Sequence, residues 1–90
     1  MATTKQQRSK APEAVLFGQS LRRFRNARDW SQERLAEAAG ITLNYVGNLE
    51  RGEQGPSLNV LVRLAKALEI DVPTLLADFR RDVVRKMNVD

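Results

Sequence analysis

QERLAEAAGITLNYVGNLER, Gln32 to Arg51, reads as two short helices joined by a tight turn. Ser31, just before it, has a hydroxyl oxygen able to accept a hydrogen bond from an orphan amide of the first helical turn, and Gly40 closes that helix. The residues between are good helix formers. Leu35 and Ala39 share one face, and Ala36 beside them is small enough to let a second helix approach closely. Gly40 takes a positive φ without a Cβ clash, so the chain reverses sharply there. Thr42 caps the second helix, which closes at Gly52, and Ile41 is placed to pack on Val46 as a hydrophobic staple. Val46 and Leu49 give this helix an inward stripe. Leu43, Asn44, Gly47 and Asn48 then point outward, with Tyr45 at one shoulder. A merely solvated helix would carry lysines and glutamates. Amides and one leucine suit the reading of base edges.

Composition narrows the alternatives. Ninety residues make one small domain, near the lower limit at which a single core holds a fold unaided. With no cysteine there is no disulfide framework, and with no histidine either the usual zinc and triad chemistries are absent. No enzyme, metal or cofactor is expected. No apolar run approaches a membrane helix and MATTKQQRSK lacks the apolar segment of a secretory signal, so the expectation is a soluble, cytoplasmic protein. The net charge of +4 and a pI near 10.1 permit a polyanionic partner. The charge is uneven: +3 up to Pro12, +2 from Glu13 to Trp30, −2 from Ser31 to Gly55 and +1 beyond. The two-helix stretch is itself acidic, so attraction to DNA must come from the tail and the first helix.

Residues 1–12, with Lys5, Arg8 and Lys10, read as a disordered basic tail, either a DNA-embracing arm or a solvated end. Glu13 to Arg28 reads as a helix burying Val15, Leu16, Phe17, Leu21 and Phe24, despite Gly18 in its middle. Trp30 is expected to pack on Leu35. After the loop Gly52–Pro56, Ser57 caps a helix to about Leu68 with an inward stripe of Leu58, Leu61, Leu64, Ala65 and Leu68. Asp71 caps the next helix, Pro73 being tolerated in a first turn, and Val72, Leu75, Leu76 and Phe79 close the core. Residues 80–90 continue in helical pattern, with Leu76, Phe79, Val83 and Met87 on one stripe. Phe79, Val83 and Met87 are therefore dimer candidates, the alternative being that the extension folds back on its own domain.

Taken together, these signals resemble the DNA-binding domain of the Xre family, the phage-repressor (Cro/CI-like) regulators. The resemblance runs from about Leu16 to Phe79. It rests on Ser31-Gln32, Ala36, Gly40, Ile41, Val46, Leu49, the LERG of Leu49–Gly52, and GPSLNVLVRLAKALEI from Gly55 to Ile70. It implies an all-α, compact five-helix domain over 13–79 of the lambda-repressor type, with motif 32–51 and a C-terminal helical extension over 80–90. It further implies a transcriptional regulator, a repressor or autoregulating controller, that binds double-stranded DNA as a homodimer on a palindromic operator, with helix 43–51 in the major groove.

The family's pattern assigns roles by position. Leu43, Asn44 and Asn48 would face base edges, with Asn44 or Asn48 on adenine and Leu43 on a thymine methyl. Leu43 departs from the polar or basic residue usual there. Gln32 would hold a phosphate, joined by Ser31, Thr42, Tyr45 and Arg51. Arg25 and Glu50 would form a partly buried ion pair tying the first helix to the recognition helix. Tyr45 in place of a small residue resembles the controllers of restriction-modification systems. No small-molecule effector is expected. The rival reading keeps the fold and drops the DNA: an interaction module such as an antitoxin subunit or coactivator-type adaptor, favoured by the acidic balance of the motif.

Overall fold

The computed structural model describes residues 10–89, and among them the chain is all-helical. Most of the expected tail, with Lys5 and Arg8, lies outside the described residues. The helices are α1 (Pro12–Ala27), α2 (Gln32–Ala39), α3 (Leu43–Glu50), α4 (Leu58–Leu68), α5 (Val72–Leu75) and α6 (Arg81–Arg85). The boundary drawn between tail and domain falls slightly late: α1 already starts at Pro12, where proline's missing N–H is no loss and its fixed φ suits a first turn.

Capping follows the sequence. Ser31, Thr42, Ser57 and Asp71 each accept a hydrogen bond from the backbone amide three residues on, at 3.0–3.1 Å. Gly40 adopts φ 70° and ψ 36°, and the amides of Gly40 and Ile41 return to the carbonyls of Glu37 and Ala36. This αL closure turns the chain from α2 into α3.

Phe17, Leu21, Leu35, Val46, Leu49, Leu64, Leu68 and Leu75 form the centre of the core, with Ala36 and Ala39 where α2 meets its neighbours. α3 packs on α1 and α2, α4 on α2, and α5 on α4 and α1. Val15, Leu16 and Phe24 of α1 are only half-buried, whereas Ala14, Gly18 and Ser20 are buried. Trp30 is half-buried against the core, with the Arg28 and Arg34 guanidinium carbons 4.6 and 5.1 Å from a ring centroid.

Two expected stripes are corrected. Leu58 is not in the core but 74% exposed, and Val60 is buried in its stead. The buried stripe of α4 centres between Leu64 and Leu68; Leu58 is roughly 100° away from that centre at about 100° per residue and stands on the helix's first position, beyond its neighbours' reach. Nor do Leu76, Phe79, Val83 and Met87 share one helix. α5 ends at Leu75 and the chain turns before α6, with the Phe79 amide bonded to the Leu76 carbonyl. Asp78 holds this break by accepting from Ser20 Oγ at 3.1 Å and Arg23 Nη1 at 2.9 Å. Phe79 packs against the core, Val83 and Met87 are half-buried, and Val84 and Val89 are exposed. Among the described residues, no helix is long and apolar enough to cross a membrane, and no cluster of acidic side chains is arranged to hold a metal.

Candidate nucleic-acid interface

A helix that presents side chains to a ligand must first be held still. α3 is held at its C-terminal end from two sides. Gly18 lets α1 lie directly on the α3 backbone: a Cβ there would sit 2.7 Å from the Glu50 carbonyl oxygen. A glycine that weakens α1 as an isolated helix thus permits its closest packing contact. The Glu50 side chain, fully buried, then receives Arg25 through Nε–Oε2 at 2.7 Å and Nη2–Oε1 at 3.0 Å. Gln32 Nε2 donates to Oε1 at 2.9 Å, and Arg22 Nε approaches the same oxygen at 3.4 Å. Arg25 also donates from Nη1 to the Trp30 carbonyl at 2.7 Å, so one guanidinium joins α1, α3 and the entry to α2. Burial opposes ionisation of Glu50. Hydrogen bonds from Arg25 and Gln32, the charge of Arg25 and a bond from Arg22 outweigh it, and its pKa lies below the ordinary glutamate value.

Arg22 was not singled out in the sequence, although it lies three residues before Arg25 on the same helix face and so reaches the same carboxylate. Lys10, within the expected tail, donates from Nζ to the Arg51 carbonyl at 2.8 Å, at the C-terminal end of α3.

On the other side of α3, Leu43 is 45% exposed and Asn44 exposed, while Tyr45 is half-buried against the core. Gly47 is a correction to the outward set: it lies on that face but is buried, because the Arg51 guanidinium covers it, Nη1 lying 2.8 Å from where a Cβ would be. Asn48 is half-buried, its Oδ1 accepting from Arg51 Nη2 at 2.7 Å and its Nδ2 donating to Gln54 Oε1 at 3.2 Å. Glu53 receives Arg51 Nε at 3.1 Å, and this bond holds the Glu53 carboxyl below the ordinary glutamate range. Glu53 and Gln54 belong to the loop after α3, and nothing in the helical pattern marks them as neighbours of the outward face.

The N-terminal ends of α2 and α3 carry Ser31, Gln32 and Thr42. The Ser31 and Thr42 oxygens accept their cap bonds, which leaves each O–H proton to donate elsewhere. One Gln32 amide proton is used by Glu50 and the second is not required by that bond. The first-turn backbone amides of α2 lie beside it.

Comparison with known proteins agrees with this arrangement. The helix-turn-helix family model matches residues 21–75. The control protein C.SmaI of Serratia marcescens is 43% identical over 61 residues, covering 68% of this chain and 73% of that protein. The crystal structure of the restriction-modification controller protein C.AhdI from Aeromonas hydrophila superposes with a TM-score of 0.68 at 44% identity, covering 70% of this chain and 96% of the other. The crystal structure of SinR, a master regulator for biofilm formation, in complex with DNA superposes with a TM-score of 0.64 at 34% identity, covering 67% of this chain and 97% of that one. The chain therefore belongs to the Xre-type helix-turn-helix family of DNA-binding transcriptional regulators.

Proposed function

We propose that the protein is a sequence-specific repressor or autoregulating controller that binds a palindromic operator as a homodimer, with α3 in the major groove. The observation that carries this reading is the division of α3 into two faces. One is locked into the domain through Glu50, and the other presents Leu43, Asn44 and Asn48 outward. Asn44 or Asn48 supplies the paired donor and acceptor that adenine's N6 and N7 edge requires, Asn44 being the one whose amide is not engaged by Arg51 and Gln54, and Leu43 suits a thymine methyl. Ser31, Gln32, Thr42 and Tyr45 contact the phosphates, positioning the helix without carrying sequence information. Arg51 stands apart from this set because its guanidinium is turned over Gly47 onto the reading face.

The acidic balance of the motif, which favoured an interaction module, weakens in three dimensions. Glu50 is buried among Arg22, Arg25 and Gln32, and Glu53 is paired with Arg51, so neither is a free surface charge. Of the candidates Phe79, Val83 and Met87, Phe79 is taken up by the core, so dimerisation through the C-terminal segment would use Val83 and Met87 with exposed Val84 and Val89. Two such units would place their recognition helices about 34–36 Å apart on an inverted repeat.

The test is selection from a randomised duplex pool, followed by anisotropy titrations at two salt concentrations. An enriched inverted repeat, lost in Asn44→Ala and weakened evenly across sequences in Gln32→Ala, is the expected result. Steeply salt-dependent binding with no enriched sequence would remove the operator from the reading.

A further inference from the structure

Arg51 is placed unlike a phosphate clamp. At about 100° per residue, Leu43, Asn44, Gly47, Asn48 and Arg51 fall within roughly 140° of the α3 circumference, with Arg51 near the middle. Its backbone is still helical, φ −82° and ψ −4°, so this placement holds at the last turn. Any side chain at position 47 would fill the part of this face beside Arg51. Glycine leaves a gap there, and the Arg51 guanidinium lies in it.

The guanidinium is also oriented. Asn48 Oδ1 takes one Nη2 proton at 2.7 Å and Glu53 Oε2 takes the Nε proton at 3.1 Å, while the second Glu53 contact, from Nη2 to Oε1, is longer at 3.4 Å. Nη1 makes no hydrogen bond among the described residues. A phosphate contact depends mainly on charge, and Glu53 offsets the charge of Arg51. Contact with a base edge depends on orientation, which a buttressing amide and carboxylate supply.

We infer that Arg51, seated over Gly47 and aimed by Asn48 and Glu53, reads the O6 and N7 edge of a guanine in each half-site. Nη1 and the second Nη2 proton are its donors, so only the longest of its present contacts is given up. This assignment deepens the operator reading and rests on α3 entering the major groove. Gly47 is then a positioning residue for specificity.

Duplex selection with the full chain, repeated for Arg51→Ala and Gly47→Ala, tests it. The wild-type half-site should contain a G·C pair preferred over other pairs by about ten- to a hundredfold. In Arg51→Ala that preference should fall to near one at this pair alone, with the rest of the motif intact. Gly47→Ala should weaken the same preference while helicity and melting are retained, because the added methyl displaces only the end of a flexible side chain. An even loss over all sequences in Arg51→Ala, with the salt slope reduced by about one, would make Arg51 a phosphate contact and overturn the inference while leaving the operator reading in place. A preference untouched by Gly47→Ala would overturn the seat. A pool with no enriched sequence would overturn the operator reading itself, and this assignment with it.

Discussion

Glu50 and Arg51 are neighbours in the chain, about 100° apart around α3, with Glu50 turned into the domain and Arg51 turned outward. The Glu50 side chain is wholly buried and meets Arg22, Arg25 and Gln32; the Arg51 side chain is 48% exposed and meets Asn48 and Glu53. Both are ion pairs, yet they do different things. Water screens the outer one and leaves it easily rearranged, which suits a group that must exchange partners on binding. The inner one cannot lose a member without stranding a charge in the core, so it fixes where α3 stands.

The strongest way to break this contrast is to truncate each member in turn. Glu50→Ala should lose about 3–5 kcal/mol, because Arg25 is left largely buried without its partner. Arg51→Ala should stay within about 1 kcal/mol of wild type. Urea unfolding of the two variants checks both values, and equal losses would end the distinction. The same carboxylate gives a pH signature. Its folded pKa is depressed, so its stabilisation is fully present above the ordinary glutamate value of about 4.3 and is lost as the pH falls through its lower folded value. Unfolding free energies at pH 7 and pH 3 should therefore differ more in wild type than in Glu50→Gln.

The two helical glycines sharpen the contrast at smaller amplitude. Gly18→Ala pushes a methyl against the α3 backbone, which cannot yield without moving a helix, and should cost about 1–3 kcal/mol. Gly47→Ala meets only the Arg51 guanidinium, so the helix-propensity gain prevails and stability should rise by about 0.5–1 kcal/mol. Thermal melts of the pair should move in opposite directions.

How much of this was legible follows the same division. Caps, the αL turn at Gly40 and the inward Val46 and Leu49 are local, and each is written in residues adjacent to the feature they cause. The pairing of Arg25 with Glu50 spans 25 positions and was reached only through family resemblance. Arg22 and Gln32 on the same carboxylate, the Gly18 contact and the fold of Arg51 onto Gly47 depend on where three helices meet, which periodicity along one helix does not encode. The C-terminal stripe failed for a related reason: its spacing is helical, but the Asp78 bonds to Ser20 and Arg23 hold the chain in a turn that interrupts it.

Leu58 gives the smallest and most discriminating prediction. Periodicity placed it in the core, whereas it stands 74% exposed at the start of α4. Leu58→Ser should accordingly change the unfolding free energy by no more than about 0.5 kcal/mol. A larger loss would mean that something covers this leucine in the working protein. Protein concentration then separates the sources. A contact within one chain costs the same at any dilution, whereas a contact with a second copy weakens as the dimer dissociates. Measuring Leu58→Ser and wild type at two concentrations tenfold apart thus decides whether the exposed side of α4 is solvent-facing, as the monomer has it, or belongs to a dimer surface alongside the C-terminal segment.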